Sequence, residues 1–256
     1  EWDNNRVSAF DSSARFLTSW GFNKGDFDRP YGIALQAGRI YVTEFDNGRI
    51  QVFERTVSEF NNLLTWGTRG TSDGQFISPS AIAVNQEGRT YVADHGNQRV
   101  QVFDKNGQFL DTWGKLGSQD GEFVSPTGIA LDQDGNVYVT DVNTRHIQVF
   151  DAHGKFLIKW GSMGNGDGQF DIPIGIAIDR QGNVYVVDSG SHHVQVFRSD
   201  GGFLAKWGSK GEGEGQFDRP SGIAIDEFGN VFIADRGNNR IQVFAPVSLT
   251  PTGNSR

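Results

Sequence analysis

The feature that most constrains this sequence is a repeat of about 47 residues that runs through most of its length. Five of the seven prolines are spaced by 49, 47, 47 and 47 residues, and each follows a phenylalanine by three positions. Five of the six tryptophans share this register, each directly before a glycine. Such a chain folds as a series of equivalent structural repeats, each of which buries its apolar surface against its neighbours. The prolines are Pro30, Pro79, Pro126, Pro173 and Pro220.

Each repeat contains four short strand-like segments, which we name a to d. In the third repeat they are Gly128–Leu131, Val137–Thr140, Ile147–Phe150 and Phe156–Trp160. The sequence Asp-Gly-Asn at 134–136 suits a tight turn between a and b. Strands a and b are almost continuously apolar, as expected when both faces of a sheet are covered. Four-stranded sheets repeated every 40–50 residues predict an all-β fold, the β-propeller.

The pattern Gly-Gln-Phe, Pro, Gly-Ile-Ala, Val-Tyr-Val, Asp-x-x-Asn-x-Arg-Ile-Gln-Val-Phe resembles the NHL repeat, and the resemblance covers residues 1–244. The resemblance implies a β-propeller of four-stranded blades, most often six, in which strand a lines a central channel. It also implies that the b–c and d–a loops share one face, which is usually the binding face.

Counting the segments predicts six blades, the first of which lacks its inner strands a and b. Strand c occurs six times, and residues 1–6 align with 235–240, where strand b has just ended. We therefore expect the sequence to belong to a longer chain. The alternative is a five-bladed ring in which the N-terminal strands complete the last blade. We expect one domain over residues 1–244 and a proline-containing tail or linker over 245–256; the domain comprises a partial blade at 1–29 and repeats that start near 30, 79, 126, 173 and 220.

A carboxylate closes strand b in every repeat, and five positions later a basic residue opens strand c. These pairs could form a ring of charge that grips a polar ligand, or each could bridge its own b–c hairpin. Their presence in every repeat favours the structural role. Two successive repeats carry histidine, which suggests a metal site, but no motif supplies a third ligand, so we predict no metal and no cofactor. The pairs are Glu1–Arg6, Glu44–Arg49, Asp94–Arg99, Asp141–His146, Asp188–His193 and Asp235–Arg240.

The position after each carboxylate varies from repeat to repeat, and variation on a regular face is where specific contacts arise. We predict that these loop residues and the basic residues of the pairs line a binding face. No arrangement of side chains suggests a catalytic residue. The candidate binding residues are Trp2, Arg6, Phe45, Arg49, His95, Arg99, Val142, His146, Ser189, His193, Arg236 and Arg240.

The composition further reduces the number of possible functions. The net charge is −8, with 23 basic against 31 acidic residues, which disfavours binding to nucleic acid. No apolar run is long enough for a membrane-spanning helix. The absence of cysteine excludes a thiol nucleophile and a disulfide framework.

We predict a non-enzymatic binding or scaffold module that mediates protein–protein interaction through the face of b–c and d–a loops. The partner is another protein or another domain of the same chain. A metal-dependent propeller enzyme of the lyase or lactonase type, to which NHL-like propellers are similar, is the first alternative, and an RNA-binding NHL domain is the second. We expect a protein that works outside the cytoplasm, extracellular or periplasmic, although this sequence contains no signal peptide.

Overall fold

The computed structural model describes residues 4–11, 13, 15–21, 26–55 and 60–246. The chain divides into two compact units, residues 1–117 (unit 1) and 118–256 (unit 2). The predicted binding residue Trp2 and most of the predicted tail, residues 247–256, lie outside the described residues. The prediction of one domain over 1–244 stays a prediction.

Unit 1 contains three antiparallel sheets. Strands β1 (Val7–Phe10) and β2 (Phe16–Trp20) form a two-stranded sheet. The other two sheets each have four strands in sequence order, and we name them blades 1 and 2. Blade 1 consists of β3 (Pro30–Gln36), β4 (Arg39–Glu44), β5 (Arg49–Arg55) and β6 (Phe60–Trp66); blade 2 consists of β7 (Pro79–Val84), β8 (Thr90–Asp94), β9 (Arg99–Phe103) and β10 (Phe109–Trp113).

Unit 2 contains three further antiparallel sheets, blades 3, 4 and 5. Blade 3 consists of β11 (Pro126–Leu131), β12 (Val137–Asp141), β13 (His146–Phe150) and β14 (Phe156–Trp160). Blade 4 consists of β15 (Pro173–Ile178), β16 (Val184–Asp188), β17 (His193–Phe197) and β18 (Phe203–Trp207). Blade 5 has three strands, β19 (Pro220–Ile225), β20 (Val231–Asp235) and β21 (Arg240–Phe244).

The four strands of each repeat were predicted with small errors at their ends. Strand d of blade 3 has the predicted bounds, whereas strand a begins two residues earlier, at Pro126. Strand b extends to Asp141 and strand c begins at His146, because these two residues face each other across the hairpin in the antiparallel register. The carboxylate–base pair is therefore the last residue pair of the antiparallel b–c ladder.

The prediction of six blades was wrong. The described chain forms five blades that begin with a proline-led strand a, which is the blade number of the five-bladed alternative. The prediction counted β1 as strand c of a sixth blade. Within the described residues β1 and β2 pair only with each other, so they lack the two inner strands that a blade requires.

Successive blades within a unit pack face to face through apolar side chains. In unit 2, Tyr138, Ile147 and Val149 of blade 3 share a buried cluster with Val184 and Val186 of blade 4. Strand alternation explains the arrangement, since alternate residues of one strand point to opposite faces of the sheet. Blade 4 is therefore covered on both faces, by blade 3 and by blade 5, which is why its strands b and c are apolar at nearly every position. Among the described residues no helix could cross a membrane.

Replacing Phe170 tests the packing between blades 3 and 4. Its ring is fully buried and lies 5.7 Å from the ring of Phe197. We expect Phe170→Ala to lower the free energy of unfolding by about 3–5 kcal/mol, because the cavity cannot fill from two rigid sheets. Denaturant unfolding followed by circular dichroism measures this change. The half-exposed Leu157 is the matched control, and a loss from Leu157→Ala as large as that from Phe170→Ala would contradict this account.

Candidate functional site

The carboxylate that closes strand b is fully buried and joins the b–c hairpin to the d–a loop. In blade 5, Asp235 accepts a hydrogen bond from the backbone N–H of Asp218 in the preceding d–a loop, at 2.8 Å. Its other oxygen accepts from Asn238 Nδ2 at 2.9 Å and from Arg240 Nε at 2.8 Å. We call this set of contacts the carboxylate clamp. A buried carboxylate is stable only when its oxygens are hydrogen-bonded in this way.

The clamp changes the acidity of its carboxyl groups. Burial acts to raise the pKa of Asp235, but the hydrogen bonds from Asn238, the Asp218 backbone and Arg240 outweigh it and hold that pKa below its usual value. Asp94 has the same type of partners, yet desolvation raises its pKa. Both carboxyl groups therefore serve the hairpin and have no free oxygen to offer a substrate.

The arginine that opens strand c completes the clamp. Arg240 donates to the backbone carbonyls of Glu212, Gly213 and Gln216 in the d–a loop, at 2.7–2.9 Å. Arg99 reaches the carbonyls of Ser72 and Gln75 in the same way. These contacts agree with the structural role that we favoured for the carboxylate–base pairs because the pairs occur in every repeat.

A glutamine two positions further along strand c has a role that sequence reasoning missed. Gln242 accepts from the N–H of Gly215 and donates to the carbonyl of Gln216, at 3.0 and 2.7 Å. The signal was present, because strand c carries glutamine in every complete repeat. The equivalent residues are Gln51, Gln101, Gln148, Gln195 and Gln242.

Histidine weakens the clamp in blade 4. His193 is buried, and its Nε2 lies 3.7 Å from Oδ2 of Asp188, beyond hydrogen-bond length. Burial lowers the pKa of His193 even though the Asp188 charge acts to raise it. Asp188 instead accepts from the backbone N–H groups of Asp171 and Ile172, at 2.9 and 2.8 Å.

In blade 3, burial is also the main cause that lowers the pKa of the half-buried His146, next to Asp141. Asp141 accepts from the backbone N–H groups of Val124, Ser125, Asn143 and Thr144. Within the described ranges, no group of three or more histidine, aspartate or glutamate side chains is arranged to hold a metal ion.

Two of the predicted loop residues meet in unit 1. Phe45 follows the clamp carboxylate of blade 1, and His95 follows that of blade 2; their rings lie 6.1 Å apart. Tyr31 stacks on Phe45, with ring centroids 5.6 Å apart and an interplanar angle of 28°. All three rings are half-buried. We call Tyr31, Phe45 and His95 the aromatic row.

Tyr31 was not predicted as a binding residue. It follows the repeat proline, where the other repeats have Ser80, Thr127, Ile174 and Ser221. A comparison of that position between the repeats would have identified it. Beside the row, Arg29 and Asp46 form an ion pair with Nη1 and Oδ2 3.3 Å apart.

The other predicted loop residues lie at equivalent places in unit 2. The backbone N–H groups of Val142 and Ser189 donate to the d–a loop carbonyls of Ser125 and Ile172, and Arg236 is exposed. In unit 1, Arg6 is half-buried and Arg49 pairs with Glu44. The ligand-binding role of all these residues stays a prediction.

The clamp of blade 4 generates a prediction about pH. The folded pKa of His193 lies below that of the unfolded chain, about 6.5. The unfolded state therefore binds the proton more readily, and stability falls as pH drops below that value. We expect His193→Arg to remove this loss of stability. The substitution should also raise the free energy of unfolding at neutral pH by about 1 kcal/mol, because the arginine can form a clamp like that of Arg240. Urea unfolding between pH 5 and 8 measures both effects.

The control for this experiment is His153→Arg, because His153 lies exposed in a turn. It should leave the pH profile unchanged. An unaltered profile in the His193→Arg variant would contradict the assignment of the acid sensitivity to this side chain.

Solved structures with the same fold include several enzymes. Virginiamycin B lyase from Staphylococcus aureus matches with a TM-score of 0.65 and 13% identity, over 98% of this chain and 80% of that one. A gluconolactonase from Xanthomonas campestris matches with a TM-score of 0.66 and 18% identity, over 91% and 77%. A streptogramin B lyase structure matches with a TM-score of 0.61 and 16% identity, over 89% and 70%. At these identities the likeness concerns the fold.

These structures correct one prediction from the sequence. We predicted that the protein is not an enzyme, because propeller repeats require no catalytic group. The structural neighbours are lyases and a lactonase, so the fold of this chain is one that carries catalysis in other proteins. The regular repeat therefore gave no basis for excluding enzymatic activity.

The repeat itself establishes the family. No curated protein sequence matches the chain. The model of the NHL repeat, however, matches residues 27–53, 76–103, 123–150, 170–197 and 217–244. Each match runs from the buried phenylalanine of the d–a loop to the phenylalanine of strand c, and so includes the carboxylate that closes strand b and the basic residue that opens strand c. Together the matches cover more than half of the chain, which therefore belongs to the NHL repeat family.

Proposed function

We propose that this NHL protein binds a protein partner on the face formed by the b–c and d–a loops of unit 1. The observation that carries this proposal is the aromatic row of Tyr31, Phe45 and His95. The equivalent loop positions in unit 2 hold Val142, Ser189 and Arg236, which form no such row.

The aromatic row has the properties of an interface centre. Tyrosine and phenylalanine contribute large contact areas and lose little side-chain entropy on binding, and aromatic residues are enriched where proteins meet. The row is also held in place, because the Phe45 backbone N–H donates to the Arg29 carbonyl at 3.0 Å and the clamp of Glu44 directly precedes it. A partner thus meets rings that are ordered before binding.

Charged groups border the row, as they do at the rim of protein interfaces. Arg29 and Asp46 pair with each other while both remain partly exposed, at 45% and 37% of the side-chain surface. Such exposed ion pairs contribute little to folding. We expect Arg29 and Asp46 instead to orient a partner that carries charges of both signs.

The proposal predicts that Phe45 dominates the affinity. A photo-crosslinking residue at position 45 first captures the partner in the native host, and binding of the purified partner is then measured by calorimetry. We expect Phe45→Ala to weaken binding by about tenfold or more, the effect typical of a central aromatic residue. The change should leave folding intact, because Phe45 is half-exposed on a loop.

Val142→Ala is the matched control, since Val142 occupies the equivalent loop position in unit 2. We expect it to bind like the unchanged protein. Equal losses from the two variants would contradict a binding site centred on the aromatic row, as would crosslinking at position 142 to the same partner.

The neighbouring enzyme structures favour a second candidate function, a lyase activity on a streptogramin such as quinupristin or a lactonase activity on a gluconolactone. Its test is direct. The purified chain, with magnesium present and then with a chelator, is incubated with quinupristin and with a gluconolactone, and ring opening is followed by chromatography. Turnover above the spontaneous rate would support this function, and rates equal to the spontaneous ones would count against it.

A further inference from the structure

A histidine of blade 4 holds the d–a loop that leads into blade 5. Arg219 lies directly before Pro220, the first residue of β19, and its φ is +47°, which residues other than glycine rarely adopt. The Arg219 backbone N–H donates to Nδ1 of His192 at 3.1 Å. His192 lies in the b–c hairpin of blade 4, and its side chain is 16% exposed. We call this hydrogen bond the histidine latch.

In unit 1 the same contact is made by a side chain that does not titrate. Asn5 occupies the position of His192, directly before the basic residue of the repeat, and Arg29 occupies the position of Arg219. The Arg29 N–H donates to Oδ1 of Asn5 at 2.9 Å, and the φ of Arg29 is +50°. An acceptor on the hairpin and a left-handed residue before the proline therefore occur together in both units.

The d–a loop that leads into blade 4 has a different arrangement. Arg145 occupies the position of His192 there, and a guanidinium group has donors but no acceptor. Ile172, the equivalent of Arg219, does not adopt a positive φ and donates its N–H to Oδ1 of Asp188 at 2.8 Å. The loop before strand a thus has two discrete arrangements in this protein, which we call latched and released.

Blade 2 shows that the lack of an acceptor does not by itself release the loop. Ser78 has a φ of +54°, although Gly48 at the latch position has no side chain. At blade 4 a donor group takes the place of the acceptor, and two donors that face each other repel. The charge and hydrogen-bonding character of the side chain at the latch position therefore distinguish the two arrangements.

We propose that the histidine latch is a pH-dependent switch of the loop edge of blade 5. Neutral His192 offers the lone pair of Nδ1 to the Arg219 N–H, whereas the protonated ring carries a hydrogen there. Two donors 3.1 Å apart repel, so the N–H leaves and the loop takes the released arrangement. Asp235 is then the acceptor for that N–H, because it is the carboxylate equivalent to the one used in blade 4.

The charged groups around His192 favour this response in acid. Oδ1 of Asp218, on the d–a loop, lies 3.7 Å from Nδ1 and attracts the protonated ring. The same oxygen lies 3.7 Å from Nε of Arg219, so a charged histidine competes with that ion pair. His193 repels a second positive charge, but burial lowers the pKa of His193 and Asp188 lies 3.7 Å from its ring. Acid therefore changes the charges that this part of the loop face presents.

Nuclear magnetic resonance tests the proposal at the atoms concerned. The ring signals of His192 and the Cα and Cβ shifts of Arg219, which report backbone conformation, are followed between pH 5 and 8. We expect both sets to change with one midpoint. The scalar coupling between the Arg219 amide nitrogen and Nδ1, which passes through the hydrogen bond, should be present at pH 8 and lost at pH 5.

Two variants take their side chains from the equivalent positions of this chain. His192→Asn keeps the acceptor and removes the titration, as in Asn5, so Arg219 should keep its latched shifts at every pH. His192→Arg supplies donors only, as in Arg145, so Arg219 should show the shifts of the acid form already at pH 8. We expect both variants to fold, because Asn5 and Arg145 have the same left-handed φ as His192. Circular dichroism checks this.

The control is His153→Arg, because His153 is exposed in a turn of blade 3; it should keep the pH response of the unchanged chain. Arg219 shifts that do not follow the His192 ring would overturn the proposal, as would a pH response that survives in His192→Asn. Latched shifts in His192→Arg at pH 8 would also overturn it, since Arg240, which opens strand c of blade 5, would then set the arrangement.

Discussion

The structure depends on a buried carboxylate at the end of strand b in each blade. Asp235 accepts from a backbone N–H group of the d–a loop and from side chains of the b–c hairpin at the same time. Asp141 and Asp188 join the same two segments through backbone N–H groups alone. An unpaired charge at this depth would be severely destabilising, so the hairpin and the loop must both be in place. The clamp thus fixes the long d–a loop to the short b–c turn at one edge of the blade.

This rigidity separates the scaffold from the surface that is free to vary. The residue after the carboxylate lies in the b–c turn that the clamp fixes, and its side chain contributes little to the clamp. Phenylalanine and histidine at positions 45 and 95, or valine and serine at 142 and 189, are therefore all compatible with the same hairpin. The aromatic row arises where adjacent blades hold rings at these tips, with Tyr31 added from strand a.

The repeat allowed the strands to be predicted almost residue by residue, because proline, glycine and tryptophan mark the same points in every copy. The blade number was not predictable in this way. Counting strand c treats β1 as evidence of a sixth blade, whereas blades are defined by which strands pair, and β1 pairs with β2 alone in the described chain. The roles of Gln242 and Tyr31 were missed for different reasons. The glutamine was treated only as one residue of strand c, and the tyrosine was never compared with its equivalents.

The agreement between the faces of successive blades has a consequence for how such proteins change over evolutionary time. The face of blade 3 that packs on blade 4 presents nearly the same side chains as the face of blade 4 that packs on blade 5. The two faces that cover them are also alike. A duplication or deletion of one 47-residue segment would therefore join two surfaces that already fit. Genes of this kind can gain or lose blades by unequal recombination without any new core having to be invented.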